Sequence, residues 1–96
     1  MDGLSSQVLQ MIPETAKGRI HGKEIAQQAG ISPEKVRKVI NKARTSGIPV
    51  CADGRGYYIA SDVHDVEKTI QAMSGRVDKM VQAINGLEAW RKRQMQ

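Results

Sequence analysis

The sequence predicts a mostly helical α+β fold: three short helices, a two-stranded antiparallel ribbon and one long terminal helix. Three observations carry this prediction. Apolar residues recur at helical spacing in three short segments, each bounded by a capping residue and a breaker. Two apolar runs flank Asp53-Gly54-Arg55-Gly56, a turn whose residues tolerate positive φ. Beyond residue 62, apolar residues step by three and four without interruption to Leu87.

The first helix is expected over residues 3–12, where Leu4, Val8, Met11 and Ile12 form one face. Asp2 is placed to accept its first free amide hydrogens. Pro13 ends it, because the residue before a proline is pushed out of helical geometry. Residues 14–18 read as a polar loop, and residues 19–21 as a short extended piece that brings Ile20 to the core. The second helix covers residues 22–29, with Ile25, Ala26 and Ala29 turned inward, and Gly30 breaks it. Ser32-Pro33-Glu34 opens the third helix with a capping hydroxyl, a proline in the first turn and an acid at the positive end of the dipole. Val36, Val39, Ile40 and Ala43 are its buried side, and Gly47 is its stop. Strands are expected at residues 48–52 and 57–60.

The second and third helices meet the demands of a helix-turn-helix. Ala26 is small where the helices cross, and Gly30 is free to turn the chain. Ile25, Ala29, Ile31, Val36 and Val39 supply the apolar lock. Three helices followed by a ribbon make a winged helix.

The chain has 96 residues with 15 Lys or Arg, 10 Asp or Glu and a formal charge of +5. This length fits one small domain plus an appendage, divided here at residues 1–61 and 62–96. With only Tyr57, Tyr58 and Trp90 as aromatics, the core relies on aliphatic side chains. Residues 1–61 hold nine cations and five anions, a surplus of four; residues 62–96 hold six and five, a surplus of one. The basic excess sits with the winged helix, and nucleic acid is the first partner such a balance suggests.

Other classes are disfavoured. One cysteine, Cys51, cannot build a disulfide framework. No apolar run reaches the roughly 18 residues of a membrane span, and residues 1–6 do not open a signal peptide. The expected location is the cytoplasm of a bacterium or a phage-infected host. His21, His64 and Cys51 lack paired metal-ligand spacing, so no metal is expected. No nucleophile–base pair or paired carboxylates stand out, so an enzyme, a cofactor and a small-molecule ligand are not expected either.

Several pieces together resemble the DNA-binding domain of the biotin operon repressor type. They are Gly22-Lys23-Glu24-Ile25-Ala26, Gly30-Ile31-Ser32, Val36-Arg37-Lys38, Ile40, Gly47-Ile48-Pro49-Val50 and Gly54-Arg55-Gly56-Tyr57-Tyr58-Ile59. The resemblance covers residues 4–60 and implies double-stranded DNA as partner. It does not extend to the ligase domain of that repressor, since the following 35 residues contain no glycine-rich nucleotide loop. The family geometry implies that Ser32, Pro33, Glu34, Arg37, Lys38 and Asn41 face the major groove. There Arg37 suits guanine, Asn41 adenine and Glu34 cytosine. Lys35, Lys42 and Arg44 suit phosphates, and Lys17, Arg19 and Lys23 may be joined to them as backbone contacts. Arg55, between two glycines at the wing tip, enters a minor groove, touches a phosphate or stands free.

The last helix carries Val63, Ile70, Val77 and Ile84 at the first heptad position and Val66, Met73, Met80 and Leu87 at the fourth. Such a seam spans about 40 Å and favours a parallel two-stranded coiled coil between two chains. The alternatives are packing on its own winged helix, or a bend at Gly75 that folds the segment into a hairpin. An eleven-residue echo, residues 70–75 against 81–86, preserves the face and straightens any supercoil. The leading expectation is a homodimeric, sequence-specific DNA-binding regulator of transcription, a repressor of bacterial or phage genes. The alternative is a nucleoprotein assembly factor for replication, excision or DNA packaging, built on a higher oligomer.

Overall fold

In the computed structural model, which describes residues 2–96, the chain order is α1 (Gly3–Met11), a 3₁₀ turn (Ala16–Gly18), α2 (Gly22–Ala29), α3 (Pro33–Thr45), β1 (Val50–Asp53), β2 (Gly56–Ile59) and α4 (Val63–Gln94). Three helices and a ribbon form a winged helix, and one long helix leaves it.

Helix α1 begins where Asp2 Oδ1 accepts the Ser5 amide at 2.7 Å. It stops one residue earlier than the sequence suggests, because Ile12 before Pro13 is extended. Ile12 still reaches the core from there. The Ser5 amide bond, aided by the Ser5 hydroxyl and the charge of Lys42, holds the Asp2 carboxyl below its ordinary value. A carboxylate lowered in this way stabilises the fold above its unfolded value and loses that contribution as pH falls through its folded value. Asp2→Ala should therefore lower Tm near neutral pH, and its deficit against the wild type should shrink below about pH 3. A deficit that is constant across the acid range would contradict the cap's role.

Residues 14–18, read as loop, contain a 3₁₀ turn in which Thr15 Oγ1 accepts the Lys17 amide at 3.0 Å. Ile20 is extended as expected and makes a two-bond bridge to Tyr57, with N–H···O distances of 3.0 and 2.8 Å. Gly30 adopts φ 68°, and the amides of Gly30 and Ile31 both return to the Ala26 carbonyl, which closes α2 and starts the turn. Ser32 Oγ caps α3 at the Lys35 amide. The core joins Val8 and Ile12 to Ile25, Ala26, Val36, Val39, Ile40, Ala43 and Val50. Ala29 and Ile31 are half-buried at its rim.

The strands start later than the sequence suggests for β1 and earlier for β2. Ile48 is still engaged with α3, its amide bonding the Ala43 carbonyl, and Pro49 has no N–H for a ladder. The register pairs Val50 with Ile59 and Asp53 with Gly56, leaving Gly54 and Arg55 as the tip. Both ribbon edges are covered. Ile20 bonds the outer edge of β2, and the Ala52 amide of β1 donates to the buried Thr69 Oγ1 of α4 at 3.4 Å.

Helix α4 runs unbroken through Gly75 and Gly86, so the hairpin alternative does not occur. Its 32 residues span about 48 Å, longer than the seam alone. The opening turns pack on the wing, with Val66 and Met73 half-buried and Thr69 buried. Past them the apolar row is open: Val77 is 56 %, Ile84 50 % and Leu87 72 % exposed.

Candidate nucleic-acid interface

The exposed arc of α3 divides into two flanks. Pro33, Arg37, Asn41 and Arg44 recur at helical spacing and line one open groove. Its opposite wall is the wing, through Asp53, Gly56 and Tyr57, and its end is the start of α2, through His21, Gly22 and Lys23. His21 gives α2 no side-chain cap, so the first amides of α2 are left without one at the groove edge. Lys35 and Lys42 lie on the other flank, towards the start of α1, where Lys42 Nζ is 4.0 Å from Asp2 Oδ2. Between the flanks Glu34 pairs with Lys38 at 3.7 Å, both side chains largely exposed. Such a surface pair contributes only about 0.3–0.5 kcal/mol and is easily exchanged for a better partner.

Among the sequence-derived candidates, Ser32, Pro33, Glu34, Lys35, Arg37, Lys38, Asn41 and Lys42 are all exposed on α3 or its cap. Arg44 is different. It is half-buried, and its Nε donates to the Val50 carbonyl at 2.8 Å, so one donor of its guanidinium is committed to joining α3 to the wing. Arg19 departs furthest from expectation. Its guanidinium pairs with Asp53 at 3.2 Å and lies 5.8 Å from the centre of the Tyr58 ring. Arg19 is a fastener of the wing, because the Ile20 bridge brings its backbone beside β2. Burial raises the Tyr58 phenol above its ordinary value, with the Asp65 charge adding to it, so the ring stays neutral beneath Arg19.

Asp53 also shapes the tip, its Oδ1 accepting the Arg55 amide at 2.8 Å. Arg55 is exposed at the end of the ribbon. Lys17 is exposed on the 3₁₀ turn, and Lys23 is exposed at the groove. One cation escaped the sequence reading altogether. Arg76 of α4 lines the same groove as Arg37 and Arg44. No local pattern announces it; it arrives there because Thr69 fixes α4 against β1. The groove thus gathers Lys23, Arg37, Arg44 and Arg76, and its acid, Asp53, is already paired with Arg19.

Chemically, this surface offers a bidentate guanidinium and an amide at its centre and ammonium groups at its margins, which are the groups that read base edges and hold phosphates. Among the described residues, no group of three or more His, Cys, Asp or Glu is gathered to hold a metal ion. No helix of the described residues is long and apolar enough to cross a membrane.

A family model described as an HTH domain matches residues 5–58. The comparisons with curated proteins and with solved structures give no match. The matched span begins in α1 and ends in β2, so it takes in the helix-turn-helix and the wing together.

Proposed function

The chain belongs to this helix-turn-helix domain family, a winged-helix family related to the biotin-repressor type, and we propose that it is a sequence-specific regulator of transcription that binds double-stranded DNA as a homodimer. The observation that carries this reading is the groove between α3 and the wing. It combines Arg37 and Asn41 on the exposed side of a helix whose opposite side is core. With α3 in the major groove, Arg37 bonds guanine and Asn41 bonds adenine, and Glu34 leaves Lys38 to accept from cytosine. Lys35 and Lys42 hold phosphates on the α1 flank. On the wing side Lys23 and Arg76 do the same, and Arg55 reaches the neighbouring backbone or minor groove.

Occupying a promoter with this face is enough to repress, which makes repression of bacterial or phage genes the simplest form of the activity. Pairing through the exposed row of α4 presents two recognition helices, so the site is a two-fold one.

Selection of bound sequences from a random duplex pool tests the reading. Enrichment of a two-fold motif is expected; a pool that stays random would contradict sequence-specific binding. Lys42→Ala should weaken binding to selected and unselected duplexes alike, by about the same factor, and reduce the salt slope by about one. A loss confined to the selected sequence would move Lys42 from the backbone to a base.

A further inference from the structure

We propose that α4 pairs antiparallel with α4 of a second copy of this chain, centred between Asp78 and Lys79, so that residues 87–90 of each helix lie in the apolar cleft of the other. The inference rests on the homodimer reading above and adds the orientation, the register and a docking seat.

The β-branched first heptad positions by themselves favour a parallel pair. The placement of the winged helix argues the other way. A parallel pair must bring Val66 against Val66 and Met73 against Met73, yet both side chains are already half-buried against the wing of their own chain. It must also bring Arg91, which continues the first heptad position after Ile84, against its own copy. Antiparallel packing removes both conflicts. With the centre between Asp78 and Lys79, Ile70 meets Leu87 of the second copy, Val77 meets Met80 and Met73 meets Ile84. Every layer then joins a first to a fourth heptad position, and all are apolar. A shift by seven residues in either direction loses layers.

Charge agrees with this direction. Residues 62–68 contain Asp62, Asp65 and Glu67 against Lys68, and residues 88–94 contain Arg91, Lys92 and Arg93 against Glu88. One end of the helix is acidic and the other basic, so parallel copies repel at both ends and antiparallel copies attract at both. The helix dipoles add in the same sense.

The seat is a cleft on the wing side of α4, between residues 66–73 and residues 47–50, and nearly all of its exposed surface is apolar. In the antiparallel register the flank of the second helix that carries Ala83, Gly86 and Trp90 faces this cleft. Gly86 has open space where a Cβ would stand, which permits a close approach to Pro49. Trp90, 58 % exposed in the single chain, supplies the large apolar group that fills it. The two winged helices then stand at opposite ends of the paired helices. Their seats, each centred on Thr69, lie about 28 Å apart along the axis, the same order as the ~34 Å between half-sites one DNA turn apart.

The test uses the full chain in a Cys51→Ala background, with Ile70→Cys and Leu87→Cys made singly. Each variant is treated alone, and both are treated after co-expression, with a short bis-maleimide. Sedimentation equilibrium reports the mass. In the antiparallel pair the two Ile70 positions are about 26 Å apart, beyond the linker. The expected result is a dimer mass for every variant and a cross-linked dimer only from the co-expressed pair. A dimer in which either single variant links to itself, or in which the mixture fails to link, overturns the orientation and register but leaves the dimer. A monomer mass at tens of micromolar overturns pairing altogether, while DNA binding by the winged helix is unaffected.

Discussion

Replacing Arg37 and Asn41 together by alanine is expected to abolish sequence preference while leaving most non-specific DNA binding in place. Both side chains project into the groove from α3, whose inner face is locked into the core by Val36, Val39 and Ile40. Neither is held by another side chain, so both are free to meet base edges. A good bidentate contact discriminates against the wrong base by about 1–3 kcal/mol, so the pair accounts for about 2–6 kcal/mol on a selected sequence. That is roughly 30-fold to 10⁴-fold in affinity. On unselected duplex the double variant loses one positive charge and should weaken only a few-fold. Tm should be unchanged within about a degree or two, since both residues are exposed. Competition binding between selected and unselected duplexes reads the outcome. An equal loss on both would place these residues on the backbone, and no loss on either would remove α3 from the interface.

The second large effect is on stability. Gly56→Ala should cost about 3 kcal/mol and lower Tm by about 12–24 °C. Gly56 opens β2 at φ 140°, a conformation costly for any residue with a Cβ. A Cβ there would also strike the carbonyl of Ile20 and come within 3.0 Å of the His21 nitrogen. These are backbone atoms and cannot swing aside. The wing would have to lift from Ile20, losing both hydrogen bonds of the Ile20–Tyr57 bridge. Gly54, two residues earlier in the same turn, is the control. Its φ is not in the left-handed region and nothing lies near its missing Cβ, so Gly54→Ala should change stability by about 0.5 kcal/mol or less. Thermal unfolding that treats the two substitutions alike would contradict this account of the wing's seat.

The parts of the fold legible in the sequence are those set by local chemistry. Ser32-Pro33, Gly30 and Gly47 each act within a few residues, and each ends or starts a helix where its type suggests. The inward rows of α2 and α3 follow from spacing alone. Ile20 was placed correctly as extended, but its consequence was not visible. Pairing with Tyr57 draws Arg19 onto Asp53 and Tyr58, and a cation that reads as a DNA contact becomes internal. The strand starts moved because the exit of α3 continues through Ile48, and that depends on where Ala43 has a free carbonyl. Arg44 and Arg76 show the same limit at the interface. One is partly consumed by the Val50 carbonyl and the other is brought in by the packing of Thr69 on β1. Heptad spacing in α4 shows an apolar row but not which part of it the chain covers itself. Only the wing's position separates Val66 and Met73 from the open residues beyond.

The central claim is that a positively charged winged-helix face binds duplex DNA. Its most direct test is the affinity of the full chain for a labelled duplex across a salt series, read by fluorescence anisotropy. The expected result is binding that weakens linearly in log affinity against log salt, with a slope that reports several phosphate contacts. Absence of binding at low salt, or affinity that does not change with salt, would contradict it.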